Sequence, residues 1–136
     1  MSTRDEIDAT QRFGERYRVA EPVTIDLERA VLGTNYGANG YTTLSQAEVL
    51  IRALALRAGE RLLDIGAGCG WPGLYLAART GCDVVVTDLP MPGMRRAKQR
   101  IRDDGLASSA AVVSTARHLP FRPESFDAIV HTDVLC

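Results

Sequence analysis

The sequence has little of what marks disulfide-rich, metal-binding or membrane-spanning proteins. Its three cysteines, Cys69, Cys82 and Cys136, show no C-x-x-C spacing, and only two histidines occur among the 136 residues. We therefore expect free, buried thiols and no metal site. The amino terminus has no apolar signal segment, and no later run reaches the roughly 18 apolar residues that a membrane span needs. These absences predict a cytoplasmic protein that does not contact a membrane.

An excess of charge of one sign is also absent. Sixteen Lys and Arg residues against seventeen Asp and Glu residues leave a formal net charge of -1, so no overall field attracts the chain to nucleic acid. Basic residues do cluster between Arg95 and Arg102, but they spread around a predicted helix and fit a solvated face. With 46% hydrophobic residues, the chain has the size and composition of one globular domain with its own core.

Short apolar runs alternate with helical patterns from Arg61 onward. The predicted strands are RLLDI, DVVVTD, AAVVS and FDAIVHT, and the helices among them are PGLYLAART and MRRAKQRIRDDG. Strands without strict alternation, separated by helices, are typical of a parallel sheet covered on both faces. The predicted fold class is therefore α/β, a doubly wound, Rossmann-like sheet preceded by N-terminal helices.

The sequence before the first strand is predicted to be largely helical. Residues 4–20 fit a solvated helix or a mobile arm. Thr24 is the predicted N-cap of a short helix that stops at Gly33. We accordingly divide the chain into an N-terminal helical and lid segment, residues 1–42, and a partial Rossmann-like cofactor-binding domain, residues 43–136.

The helix that precedes the first strand has two alternative starts. Thr43 with Gln46 and Ser45 with Glu48 both have the spacing of a capping box. The apolar residues that follow form one helical face. Gly59 is the predicted end of this helix.

A glycine-rich turn follows the first predicted strand, in the stretch LLDIGAGCGWPG. Gly66 allows a sharp exit from the strand, and the missing side chain at Gly68 lets a ligand lie against the backbone. In the G-x-G-x-x-G pattern of dinucleotide-binding proteins the third glycine falls at Trp71, whose indole would obstruct the close approach of helix and strand. Asp64 would repel a diphosphate and suit a ligand that carries an ammonium or sulfonium charge.

Asp88 ends the second predicted strand, about twenty residues after Gly68. In doubly wound sheets a carboxylate at this offset accepts hydrogen bonds from ribose hydroxyls. A ligand with a ribose, a positive charge and no pyrophosphate matches S-adenosylmethionine better than NAD, FAD or ATP. Two alternatives stay open, namely an NAD(P)-dependent oxidoreductase and a non-catalytic cofactor-binding module or partner subunit.

Taken together, these stretches resemble the class I S-adenosylmethionine-dependent methyltransferases, in particular the small-molecule group with LPF after the third strand. The resemblance covers residues 34–136 and is carried by LLDIGAGCG, VVVTDLP, ARHLPF and SFDAIVHTDVL. It implies that S-adenosylmethionine is the cofactor and that its methyl group passes to a small-molecule acceptor. The sequence does not identify that acceptor.

The resemblance also implies a set of cofactor-binding residues. Gly66 and Gly68 line the methionine part, and Asp64 helps to hold its amino group. Asp88 binds the ribose, the residues after the third strand flank the adenine, and Tyr41 belongs to a lid over the carboxylate. The whole set is Tyr41, Asp64, Gly66, Ala67, Gly68, Asp88, Leu89, Thr115, Ala116 and Arg117.

One departure from the family lies in the adenine loop. The family often has G-D-A-x-x-L-P-F there, whereas this chain has STARHLPF, with Thr115 in the place of the acid. A hydroxyl is a weaker acceptor than a carboxylate for the adenine amino group. We therefore expect either weaker cofactor binding or a contact made by the amide of Ala116.

Two residues at the end of the fourth strand are candidate catalytic residues. His131 and Asp133 lie where an acceptor would present its nucleophile, and either has the chemistry of a general base. Methyl transfer to a nucleophile that is already activated needs mainly positioning, so a dedicated base is not required.

The fourth predicted strand has no cleanly polar face and no Lys or Pro to protect it, so it is expected to have a neighbour on its outer side. Members of the family have a seven-stranded sheet, whereas this sequence stops at Cys136, directly after the fourth strand. We expect a truncated chain that keeps the cofactor pocket but has little turnover. The alternative is a homo-oligomer or another chain that completes the sheet edge.

Overall fold

The computed structural model describes residues 2–18, 21–37 and 40–134. Four strands form one parallel sheet in the order β3-β2-β1-β4, which confirms the α/β, Rossmann-like fold class. In chain order the elements are α1 (Arg4–Arg18), α2 (Pro22–Leu32), α3 (Leu44–Leu54), β1 (Arg61–Ile65), α4 (Gly73–Thr80), β2 (Asp83–Asp88), α5 (Met91–Asp103), β3 (Ala110–Val113) and β4 (Ala128–His131).

The strand order reverses beside β1. From β1 the chain steps to β2 and then to β3 on one side, and it returns to β4 on the other side of β1. Leu62 of β1 accordingly lies opposite Val84 of β2 and Ala128 of β4. In open parallel sheets such a reversal leaves a crevice at the carboxyl ends of the strands. The segments that follow β1 and β4 therefore flank this crevice.

The core forms where α4 and α5 pack on the sheet. Leu62, Val84 and Val86 of the sheet and Leu74 and Ala97 of the two helices are fully buried in one apolar cluster. Removal of apolar surface from water stabilises a fold by roughly 25 cal/mol per Å², so this cluster is the main source of stability beneath the crevice.

Two of the three cysteines lie among the residues that the structure describes. Cys69 and Cys82 are free and buried, whereas Cys136 lies outside the described residues. Burial raises the pKa of the Cys69 thiol to about 11. Within the described ranges, no helix combines the length and the apolar character needed to cross a membrane.

Helix α1 is packed on the fold, and it is not solvated on every side. Its residues Gly14 and Tyr17 are buried, and α1 contacts α5. A side chain added at Gly14 would lie 3.9 Å from Pro92, which shows how closely α1 approaches the start of α5. Of the two predictions for this segment, a solvated helix or a mobile arm, the helix is confirmed. One side of this helix is buried and forms part of the structure around the crevice.

The predicted ends of α2 and α3 are only partly correct. Helix α2 begins at Pro22 without a side-chain cap, so Thr24 is not its N-cap, but it ends at Gly33 with a positive φ of 78° as expected. Helix α3 ends at Ala55, which adopts the left-handed conformation with a φ of 48°. The predicted end at Gly59 is therefore wrong, because the left-handed residue comes four positions earlier.

Of the two predicted starts of α3, the structure uses the first. Thr43 Oγ1 accepts a hydrogen bond from the amide of Gln46 at 3.3 Å, and the Gln46 side chain accepts one from the amide of Thr43 at 2.8 Å. This reciprocal pair is a capping box. It fixes the point at which the chain leaves the crevice and enters α3.

We predict that Thr43→Ala lowers the free energy of unfolding by about 1 kcal/mol, because it removes the acceptor at the start of α3. Thr24→Ala is the matched control, since Thr24 is an exposed threonine of α2 that does not cap its helix. Urea denaturation followed by circular dichroism measures both changes. An equal loss in the two variants would contradict the assignment of Thr43 as the cap.

Candidate functional site

The turn after β1 is tied to the end of β2 by its own amides. The amides of Gly66 and Ala67 both donate to the carbonyl of Thr87, at 2.8 and 2.9 Å, and the amide of Gly68 donates to Asp88 Oδ2 at 2.7 Å. Three consecutive donors are thus satisfied within the protein. A pyrophosphate bound here would need such amides for itself, so this turn does not have the form of a dinucleotide cradle.

Asp88 holds this turn from the end of β2. Its second oxygen, Oδ1, accepts a hydrogen bond from the amide of Leu89 at 2.7 Å. Burial raises the pKa of Asp88, while the bonds from Leu89 and Gly68 act in the opposite direction. Each carboxylate oxygen has two acceptor directions, so both oxygens keep one direction that can accept a hydroxyl.

Asp64 lies beneath the turn and is completely buried. Its Oδ2 accepts a hydrogen bond from the amide of Gly73 at 2.7 Å, while its Oδ1 has no hydrogen-bond partner among the described residues. Burial raises the pKa of Asp64 well above its usual value, and the charge of Asp88 adds to this rise. The unpaired oxygen fits the predicted interaction with an amino group, although Asp64 does not line the cavity described next.

A cavity of about 300 Å³ opens between the turn after β1 and the end of β4. This position is the crevice at which the strand order reverses. Five residues predicted from the sequence come together there, namely Tyr41, Gly66, Ala67, Gly68 and Asp133. The remaining lining residues are Arg12, Phe13, Arg16, Tyr17, Gly40, Trp71 and Thr132.

Asp133 fastens the loop before α3 to the end of β4. Its Oδ2 accepts hydrogen bonds from the amide of Tyr41 at 2.9 Å, the amide of Thr42 at 3.2 Å and the hydroxyl of Thr42 at 3.0 Å. The indole of Trp71 donates to the carbonyl of Thr42 at 2.9 Å. The loop is thus held from both sides of the crevice, which places Tyr41 at its mouth.

Trp71 is buried and does not separate α4 from β1. Its ring packs against Tyr36 and Tyr75, with centroids 5.1 and 5.4 Å away. The predicted obstruction by the indole is therefore wrong. Helix and strand approach closely through Gly73, where an added Cβ would lie 2.6 Å from Asp64 Oδ2.

His131, the other candidate base, lies exposed at the end of β4. It does not line the cavity, so the structure does not bring it together with Asp133 at the crevice. Within the described ranges no group of three or more His, Cys, Asp or Glu side chains is arranged to hold a metal ion.

Helix α1 supplies part of the site that the sequence did not reveal. The Tyr17 ring lies over the turn, and a Cβ added at Gly68 would lie 2.9 Å from its hydroxyl. Burial raises the pKa of Tyr17, and the charge of Asp88 raises it further. One sequence pattern could have indicated this contact. Phe13 and Tyr17 share one face of the helix at i, i+4 spacing, and the small Gly14 beside them allows the helix to approach another surface closely.

The predicted adenine loop lies at the end of β3 and contacts the beginning of α1. Thr115 Oγ1 donates a hydrogen bond to Glu6 Oε1 at 2.7 Å, and it accepts one from the amide of Arg117 at 3.3 Å. Ala116 and Arg117 are exposed. Helix α1 thus crosses the carboxyl edge of the sheet from the end of β3 to the turn after β1.

Comparison with known proteins agrees with this geometry. The family described as "Methyltransferase domain" matches residues 63–136. The chain is 35% identical over 83 residues to methyltransferase GfsG of Streptomyces halstedii, which covers 60% of this chain and 30% of that protein. It is 40% identical over 77 residues to the ubiquinone/menaquinone biosynthesis C-methyltransferase UbiE of Methylococcus capsulatus, which covers 54% of this chain and 31% of that protein. The chain therefore spans about 30% of the length of these relatives.

The fold is also shared with solved structures. Geranyl diphosphate methyltransferase in complex with GPP and sinefungin aligns over 96% of this chain and 56% of that chain, with a TM-score of 0.75 and 21% identity. At this identity the likeness shows the fold alone. The family match, by contrast, covers more than half of the chain. This chain is accordingly a member of the methyltransferase-domain family, the class I S-adenosylmethionine-dependent methyltransferases.

Proposed function

We propose that this chain binds S-adenosylmethionine in the crevice beside β1 and acts in methyl transfer to a small-molecule acceptor. The observation that carries the proposal is the turn of Gly66 to Gly68, which lies between Asp88 and the cavity. The turn lines the cavity with its backbone, and Asp88, whose carboxylate holds the turn, ends β2 at the offset at which doubly wound sheets bind a ribose. Its amides are already used within the protein, which disfavours the NAD(P)-dependent alternative.

When bound, the cofactor would supply a sulfonium methyl group for in-line attack by an acceptor atom that is already deprotonated or carries a free lone pair. The residues of this chain orient the two partners. Asp88 accepts hydrogen bonds from the ribose hydroxyls through the free acceptor directions of its oxygens. Gly66 to Gly68 flank the methionine part of the cofactor. The amino group of that part donates a hydrogen bond to the unpaired Oδ1 of Asp64, which lies just before this turn in the sequence.

The Tyr17 side chain occupies space that the proposed cofactor needs beside Gly68. Its hydroxyl lies in the space that a side chain at Gly68 would take, and a ligand that rests against Gly68 needs the same space. Cofactor binding therefore includes a displacement of the Tyr17 ring. The rest of α1 keeps its contacts at the ends of β2 and β3 in this arrangement.

A neighbouring cavity of about 360 Å³ is the proposed acceptor site. It shares Tyr41, Thr132 and Asp133 with the cofactor cavity, and it is also lined by the apolar side chains of Val49 and Leu50. Thr42 and Gln46 complete this mixed lining, which supports a small-molecule acceptor.

A cytoplasmic location and completion of the β4 edge by a second copy or another chain stay predictions.

Asp133 is proposed as a positioning residue. Its Oδ2 accepts three hydrogen bonds from Tyr41 and Thr42, which supports a role in holding this loop. Its role is to hold Tyr41 between the two cavities, so that the methyl donor and the acceptor meet at a fixed separation. The proposed role of His131 as a base has no contact at the crevice to support it.

Asp88→Asn is expected to weaken the binding of S-adenosylhomocysteine by about tenfold, because a charged acceptor of the ribose hydroxyls becomes neutral. Isothermal titration calorimetry of the folded chain measures this change. Asp26→Asn removes the same charge from the exposed surface of α2 and should leave binding unchanged. Equal binding by wild type and Asp88→Asn would contradict the ribose assignment, and binding of NADH in place of S-adenosylhomocysteine would favour the oxidoreductase.

Asp133→Ala is expected to accelerate hydrogen exchange at the amides of Tyr41 and Thr42 by about tenfold, because both lose their acceptor. Asp127→Ala is the matched control at the other end of β4, where Asp127 Oδ2 accepts a hydrogen bond from the amide of Arg61 at 2.7 Å. That control should change exchange at Arg61 alone. Unchanged exchange at Tyr41 in Asp133→Ala would rule out the fastening role.

A further inference from the structure

The carboxylate of Glu6 in α1 lies next to Thr115, the position of the predicted adenine loop at which the resembling family often has an acid. Thr115 follows β3, and its hydroxyl donates to Glu6 Oε1 at 2.7 Å across 109 residues of sequence. The loop therefore has an acidic group next to it, although its own sequence contributes only a hydroxyl at this point.

The Glu6 side chain is held in place by the beginning of α1. The amide of Thr3 donates to Glu6 Oε2 at 2.8 Å, and the amide of Glu6 donates to Thr3 Oγ1 at 3.3 Å. These two bonds form a capping box. One oxygen of Glu6 is thus used by the helix start, and the other is directed at Thr115.

The location of α1 is fixed by further contacts along its length. Gly14 packs against Pro92, and Tyr17 is buried over Gly68. Tyr17 follows Glu6 by eleven positions, which corresponds to about 16 Å along a helix. The two ends of α1 therefore lie at the proposed adenine and ribose ends of the same crevice edge.

Glu6 is suited to remain charged in this position. Its pKa lies below the usual value, first because the Thr115 hydroxyl donates to it and next because the Thr3 amide does. The positive charge of Arg117 acts in the same direction. A charged oxygen accepts stronger hydrogen bonds than the Thr115 hydroxyl can.

We propose that Glu6 recognises the adenine of the cofactor by accepting a hydrogen bond from its exocyclic amino group. This inference rests on the proposed function, with the adenine at the loop after β3 as the family resemblance implies. Glu6 Oε1 keeps one acceptor direction after the bond from Thr115, and the adenine amino group is a donor. A hypoxanthine ring presents a carbonyl oxygen at the same position, so Glu6 also discriminates against it.

The test compares calorimetric affinities for S-adenosylhomocysteine and S-inosylhomocysteine. Wild type is expected to prefer the adenine ligand, and Glu6→Gln should reduce the ratio of the two affinities by about tenfold. Gln is compatible with the capping box, so α1 can still begin in the same way. Asp5→Asn removes a charge from the same helical turn and should leave the ratio unchanged.

A second variant separates recognition from a structural effect. Thr115→Asp in the Glu6→Gln background returns an acid to the loop itself, and it should restore the preference for adenine. Equal weakening of both ligands in Glu6→Gln, with an unchanged ratio, would overturn the role of Glu6 while leaving the proposed function intact. If neither wild type nor any variant binds either ligand, the proposed function and this inference fail together.

Discussion

The hydrogen bond between the Gly73 amide and the buried carboxylate of Asp64 is the constraint on which the site depends. It joins the start of α4 to β1 at 2.7 Å, and it requires a residue without a side chain at position 73. With helix and strand held this close, the intervening turn has to pass over the end of β1. The turn then reaches Asp88 on β2, which fixes it through the amide of Gly68.

The crevice above this turn is built from both parts of the chain. The sheet contributes the turn after β1 and the end of β4, while the earlier residues contribute α1 and the loop at Tyr41. Asp133 connects the two parts through three hydrogen bonds to one oxygen. The crevice is thus lined in part by residues that precede the family match at residues 63–136.

The strand and helix pattern from Arg61 onward was predictable because each element is local and strongly patterned. Asp88 and the glycine turn were predictable for the same reason, since their spacing follows from one βα unit. The contacts of Glu6 and Asp133 were not predictable, because both residues bind partners about 90 to 110 positions away. No local pattern encodes such contacts.

Two errors have a clear physical origin. Trp71 was expected to separate helix from strand, but the close approach takes place two residues later, at Gly73. Helix α3 was expected to continue to a glycine, yet Ala55 adopts the left-handed conformation instead. The close approach at Gly73 depends on a hydrogen bond to Asp64, nine residues earlier, which the glycine spacing does not show.

The most direct test of the proposed cofactor site is a crystal structure of this chain with S-adenosylhomocysteine. We expect the methionine part in the cavity between Gly66 to Gly68 and Thr132 to Asp133, with the ribose hydroxyls on Asp88 and the Tyr17 ring displaced. A ligand bound away from Asp88, or bound with Tyr17 still seated over Gly68, would contradict it.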